Sequence, residues 1–272
     1  MNFLNLKDKV VVVLGVANKR SVAWHCARVL EEAGATVVFS VRSQERLANL
    51  EKLLAGREVH VCDVADDAQV ASLAESVKTK HDKVHGLIHS IAFANYENFS
   101  GQFHEVSRKD FLQAVDISCY SLIAVSNAFR NLLTEDAGVV TISISTTKMA
   151  VESYGFMAPA KAALDSTIAF LAKSFSRFSR VRFNAVGAGL LKTSASAGIP
   201  GYLDHYLFAE QVIPRRDALT CEEVANLAAF LVSPRAGGVN AQTVIADAGM
   251  STNYFDPLIV NATVKAIWPA DG

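Results

Sequence analysis

Seven short apolar runs recur along this chain with helical patterns between them, and that alternation limits the fold more than any single residue does. Lys9–Gly15 (KVVVVLG) is rich in β-branched residues and ends in glycine, as a central parallel strand buried on both faces would. Thr36–Ser40, Glu58–Cys62, Gly86–Ser90, Gly138–Ile144, Arg182–Ala188 and Thr243–Ala246 read as further strands. From Ser21 the pattern is helical up to a stop at Gly34; Ser43–Ala55 reads as a charged helix and Asp66–Lys80 as a polar one. A long helical region spans roughly Ser107–Leu133, another helix carries Lys161, and Cys221–Leu231 forms one more. The expectation is an α/β fold with a doubly wound parallel sheet of about seven strands flanked by helices, a single domain over 1–272. Residues 190–216 read as an irregular excursion from the carboxyl end of a strand, where open α/β sheets bind ligands.

Composition agrees and removes several function classes. The 272 residues are 51% hydrophobic, enough for one well-buried domain, and the formal net charge of −1 gives no footprint for nucleic acid or an anionic membrane. Cys26, Cys62, Cys119 and Cys221 lie far apart, form no CxxC pair and join no close His/Cys cluster, so no metal site is expected. Buried free thiols in a reducing cytoplasm account for them. The stretch MNFLNLKDKV lacks the layout of a secretory signal, and no run approaches a membrane span. His81 and His85, four apart without a third ligand, read as a solvent-facing pair.

The stretch SYGFMAPAKAAL places Tyr154 and Lys161 seven residues apart. Two helical turns bring a side chain back to nearly the same face, so a phenol and an ammonium address one region. Pro159 fits only a first turn or a kink, which puts the helix start near Gly155–Met157 with Tyr154 at its entrance. A neighbouring cation favours the ionised phenol, and such a tyrosine serves as proton donor or as hydrogen-bond donor to a developing oxyanion. By spacing alone, an amphipathic helix with a buried Tyr and a snorkelling Lys explains the same pair.

The first strand-to-helix turn runs Gly15-Val-Ala-Asn-Lys-Arg-Ser21-Val-Ala23 without a GxGxxG fingerprint. Gly15 supplies a tight turn, Ser21 a hydroxyl and Ala23 a small side chain, which suits a dinucleotide pyrophosphate and equally an ordinary turn. Asp63, followed by Val64, sits where a carboxylate accepts the adenine amino group or caps the next helix. After the second strand the sequence is Ser40-Val-Arg42-Ser43, with no acid for ribose hydroxyls. Arg42 suits a 2′-phosphate, which favours NADPH over NADH.

Taken together, GVANKRSVA (15–23), CDVADDA (62–68), HSIAFAN (89–95), DISCYS (116–121), YGFMAPAKAAL (154–164) and AGLLKTSASAGI (188–199) make the chain resemble the short-chain dehydrogenase/reductase superfamily. Within it, the chain resembles the NAD(P)H-dependent enoyl-[acyl-carrier-protein] reductases of fatty-acid synthesis. Tyr-x6-Lys is the discriminating feature, because commoner members use Tyr-x3-Lys and the residue four before Lys161 is Met157. The resemblance implies a Rossmann-type fold and reduction of the trans-2 double bond of an enoyl thioester on acyl carrier protein, by a cytoplasmic homotetramer. It makes Tyr154 the residue that binds the thioester carbonyl and stabilises the enolate, and Lys161 the residue that holds the nicotinamide ribose. It puts Gly15, Ser21 and Val22 along the pyrophosphate, Asp63 and Val64 at the adenine, and Ser90, Ile91 and Ala92 beneath the cofactor. Ala94 falls beside the acyl substrate, while Leu191, Lys192, Thr193, Ser194 and Ala195 meet the nicotinamide end. The apolar residues from about Ser194 to Phe208 then cover an acyl chain.

Three departures from the family pattern stand out. Ile144 replaces a second tyrosine ten residues before Tyr154, His25 a small glycine, and Leu190 a proline. They leave open a divergent reductase for another carbonyl or activated alkene, or a catalytically silent nucleotide-binding paralogue. The tail Ser251–Gly272 keeps several apolar residues that pack on a neighbour or on their own domain.

Overall fold

The computed structural model describes residues 3–268 other than 98, 152, 153 and 254. The apolar runs become parallel strands of one seven-stranded sheet: β1 (Val10–Leu14), β2 (Thr36–Val41), β3 (Glu58–Val61), β4 (Val84–His89), β5 (Leu133–Ile144), β6 (Arg182–Ala188) and β7 (Gln242–Ala246). Their spatial order is β3-β2-β1-β4-β5-β6-β7, so the winding reverses between β1 and β4 and leaves a crevice at their carboxyl ends. Successive β1 residues serve opposite faces: Val11 and Val13 enter one core, Val12 and Leu14 the other. Helices α1 (Val22–Glu32) and α8 (Cys221–Val232) cover the first face; α3 (Asp67–Lys78), α5 (Ser121–Phe129) and α6 (Met157–Phe175) cover the second.

Local sequence explains the helices. The buried stripe of α1 is Ala23, Cys26, Ala27 and Leu30, the spacing of one helical face. Asp66 caps α3 by accepting from the Ala68 and Gln69 N–H groups. A capping box opens α8, with Thr220 Oγ accepting from Glu223 N and the Glu223 carboxylate accepting from Thr220 N. Its far end is closed from outside: the buried Arg182 guanidinium, on β6, donates to the carbonyls of Leu231, Ser233 and Ala236 at 2.8, 2.9 and 3.0 Å.

Several sequence expectations need correction. The charged helix α2 covers only Gln44–Asn49, because the chain turns there to bury Leu50 and Leu54. The region 107–133 is helical as expected, without a break over 108–129, but not uniformly α: α4 (Arg108–Val115) passes through a π-helical turn at Asp116–Tyr120 into α5. In that turn the Ser121 hydroxyl donates to the Ile117 carbonyl at 2.6 Å. β5 starts at Leu133, with a shift in pairing before Gly138. The excursion 190–216 contains a helix, α7 (Tyr202–Val212). His81 and His85 do not face solvent; His81 Nε2 lies 2.9 Å from Glu58 and His85 Nδ1 accepts from the Val10 N–H at 3.1 Å. The tail forms α9 (Pro257–Ile267), of which no residue is buried.

Candidate active site

A cleft of about 500 Å³ opens where β1, β4, β5 and β6 end, at the reversal of winding. Its floor is backbone. Gly15 leaves β1 with φ +98°, and a Cβ there would stand 2.0 Å from the Ser90 carbonyl oxygen. Only glycine allows β1 and β4 to exit side by side, and the same bare turn leaves room for a ligand's phosphates. The turn that follows is stitched by Asn18: its Oδ1 accepts from Arg20 N at 2.8 Å and its carbonyl from the Ser21 hydroxyl at 2.7 Å. Beyond β4, Ser118 Oγ clamps the loop, accepting from the Phe93 N–H at 3.0 Å.

Lys161 reaches the floor from the fifth residue of α6. It is 3% exposed and donates to the carbonyls of Ile142 and Ile91 at 2.7 and 3.1 Å. An ammonium has three protons, so one remains for a ligand in the cleft that Lys161 lines. Burial pulls its pKa down to about 8, against the opposing pull of Asp165 one turn on and of Cys119. Asp165 is held from β7 by the Thr243 hydroxyl at 3.1 Å. Nearby, His89 is buried and its pKa falls to about 3, through burial first and the Lys161 charge second. It is therefore neutral. Its ring is held on both sides, Nε2 lying 2.8 Å from Ser121 Oγ and Nδ1 2.9 Å from Thr141 Oγ1.

Tyr154 stands ahead of α6, in the turn before its first residue, and Pro159 falls in the first turn, where its missing N–H costs nothing. Gly155 turns the chain with φ +49°, and a Cβ there would meet the Phe99 ring at 2.7 Å. Tyr96, Phe99 and Phe156 pack as an aromatic trio with centroids 5.5–5.9 Å apart. The Tyr96 hydroxyl donates to the Tyr154 carbonyl at 3.1 Å. The expectation that a cation favours the phenolate fails: burial dominates and, with Tyr96 and Tyr202 nearby, raises the Tyr154 pKa. The phenol stays protonated, as a donor must.

Of the residues singled out from sequence, Gly15, Ser21, Val22, Ser90, Ile91, Ala92, Ala94, Tyr154, Lys161, Leu191, Thr193, Ser194 and Ala195 line this one cleft. Lys192 lines a smaller adjoining cavity instead, with Nζ 5.8 Å from the Tyr206 ring centre. Arg42 is exposed at the end of β2, and Asp63 follows β3, its carboxylate accepting from Ala65 N at 3.1 Å. The cap of α3 is Asp66, not Asp63, and Val64 is buried. Ile144 lines the cleft with an apolar side chain. Sequence reasoning missed Asn18, Tyr96 and Tyr202; an Asn in a turn was the one available signal. Asn18 Nδ2 donates to Ser194 Oγ at 2.7 Å, joining the first turn to the segment after β6 across the cleft mouth.

Comparison with known proteins gives one answer. The sequence profile of the family described as "Enoyl-(Acyl carrier protein) reductase" matches residues 15–251. The enoyl-[acyl-carrier-protein] reductase [NADH] FabI of Enterococcus faecalis is 37% identical over 246 residues, 90% of this chain and 98% of its own length. The corresponding [NADPH] protein of Staphylococcus aureus is 36% identical over 251 residues, with 90% and 98% covered. Among solved structures, the Bacillus cereus enoyl-acyl carrier protein reductase with NADP+ and indole naphthyridinone superposes with a TM-score of 0.84 at 34% identity, over 90% of this chain and 96% of that one. With the Tyr154–Lys161 spacing and the cleft at the reversal of winding, these matches show that the chain belongs to the enoyl-(acyl carrier protein) reductase family.

Proposed function

We propose that Tyr154 and Lys161 carry the activity that family membership gives this chain, the NAD(P)H-dependent reduction of an enoyl-acyl-carrier-protein double bond. One observation carries the assignment: a protonated phenol and an ammonium with a spare proton line the same cleft, where the strand order reverses. The cleft's bare Gly15 turn fits a dinucleotide, which when bound supplies the hydride. Gly15, Ser21 and Val22 hold the pyrophosphate, and Lys161 donates to the nicotinamide ribose. Ser90, Ile91 and Ala92 form the floor, and the residues 191–195 close over the nicotinamide end. Tyr154 donates to the thioester oxygen and stabilises the negative charge that forms there when the β-carbon is reduced. The α-carbon is then protonated.

Residues 190–216 form the substrate-binding segment, with Ala94 and Tyr154 against the acyl thioester. Arg42, exposed and without an acid beside it on β2, gives NADPH the preference over NADH. Asp63 and Val64 meet the adenine. The chain works as a homotetramer in the cytoplasm: Leu112, Tyr120 and Ile123 on α4–α5, Phe170 on α6 and Ile245 on β7 leave apolar side chains exposed for a second copy to cover. Among the described residues no helix is long and apolar enough to cross a membrane. Sedimentation should give four times the 29.3 kDa chain.

The direct test follows nicotinamide absorbance with crotonyl and longer enoyl thioesters, each reduced cofactor being supplied in turn. Turnover with higher kcat/KM for NADPH is expected. Oxidation by ketones or enones but by no enoyl thioester would favour the divergent-reductase reading that Ile144 in the cleft keeps in view.

A further inference from the structure

Beside the cleft lies a second cavity of about 340 Å³, lined in part by Ala197, Leu203 and Tyr206. Thr193, Ser196, Ile199 and Tyr202 line both spaces, so these four side chains are the partition between them. Tyr202 is the largest of the four, and its ring is fixed. Its hydroxyl accepts from the Leu191 N–H and donates to the Leu191 carbonyl, both at 2.9 Å. Ser196 Oγ donates to the same carbonyl at 2.9 Å and accepts from Thr193 N at 3.0 Å. The loop from 191 to 202 is thereby closed on itself, and the phenol cannot swing aside without losing both of its bonds.

We propose that Tyr202 is a specificity-determining residue, a clamped wall that ends the acyl pocket and withholds the second cavity from longer chains. The chemistry of the withheld space suits an alkyl chain, since Ala197, Ile199, Leu203 and the Tyr206 ring line it, with Lys192 over that ring as the one charged residue among the described ones in the lining. The wall depends on the reading of the cleft as an enoyl-thioester site. Each further methylene that finds apolar cover multiplies kcat/KM by roughly four, and one that meets the wall gains nothing.

The experiment measures kcat/KM for trans-2-enoyl thioesters from crotonyl to hexadecenoyl on the wild type, Tyr202→Ala, Tyr202→Leu and Tyr202→Phe. In Tyr202→Ala the ratio of hexadecenoyl to crotonyl kcat/KM should rise by about ten-fold or more, the worth of two further buried methylenes. Tyr202→Leu, which keeps an apolar side chain and supports folding if alanine does not, should shift the ratio in the same direction. Tyr202→Phe keeps the ring and loses the clamp, so its ratio should lie between. An unchanged ratio in both the alanine and leucine variants overturns the wall, even if activity falls at every length, because a merely structural role lowers all lengths alike. A wild type that reduces no enoyl thioester removes the underlying function as well, which separates the two failures.

Discussion

The floor and the roof of the cleft are built in opposite ways. At the floor, Gly15, Ser90 and Ile91 follow directly on the paired ends of β1 and β4, with Ser90 N donating to the Leu14 carbonyl, and Lys161 is tied to two main-chain carbonyls. At the roof, 191–202 is held by hydroxyl and amide side chains: Asn18 on Ser194, Tyr202 on Leu191, Ser196 on Leu191 and Thr193. Backbone construction leaves no slack, because a single added methyl collides with a carbonyl. Side-chain construction can be retuned one bond at a time. On the proposed function, Lys161 works from the rigid half and the choice of substrate falls to the adjustable half.

The contrast breaks first at Gly15. Gly15→Ala meets a carbonyl at 2.0 Å with φ +98° and should lose more than about 4 kcal/mol of stability. A urea titration of the unliganded chain checks it, and a midpoint near that of wild type would mean that the floor can yield. Next comes Tyr154→Phe, which should lower kcat by roughly 10²–10³ while cofactor affinity holds, since one oxyanion donor is worth about 2.7–4 kcal/mol. Retained turnover sinks the assignment of Tyr154.

The pH response sharpens the same comparison. Lys161 titrates near 8 in the fold against an ordinary 10.5. Its ammonium fraction, and with it cofactor affinity, should fall as pH rises through about 8, a limb missing from Lys161→Met. Stability moves the other way. The unfolded chain holds the extra proton between about pH 8 and 10.5, so the cost of burying the charge is full below 8 and relieved across that window as pH rises. Titrations of cofactor binding and of the urea midpoint should therefore slope in opposite directions. The smallest effect belongs to the roof: Asn18→Ala removes two side-chain bonds, to Ser194 Oγ and from Arg20 N, each worth about 0.5–1.5 kcal/mol, raising KM several-fold and speeding proteolysis within 190–216.

The same division explains what the sequence disclosed. Val11–Leu14 and the other strands were legible because burial on both faces demands runs of Val, Ile and Leu, and the Gly15 turn because no other residue fits. The spacing put Lys161 and Tyr154 on one side of a helix, and only the family resemblance gave the pair a role. The roof was not legible: Asn18 and Ser194 are 176 positions apart, and nothing in either residue names the other. Nor did the sequence show that Tyr154 would sit under an aromatic trio, where desolvation outweighs a cation. The helix inside 190–216 escaped because α7 buries little beyond Ala209 and Val212 and so lacks a clear apolar stripe.

Arg182 carries a consequence for how the molecule is made. A nascent chain that has emerged only through β6 holds a guanidinium with none of its three acceptors, all of which lie between Leu231 and Ala236. Until those residues dock, the face of β6 that carries Arg182 is open and its cation stays hydrated, so burial and acceptors arrive together. One side chain thus ties the end of α8 to the sheet at no stage where its charge is both buried and unpartnered.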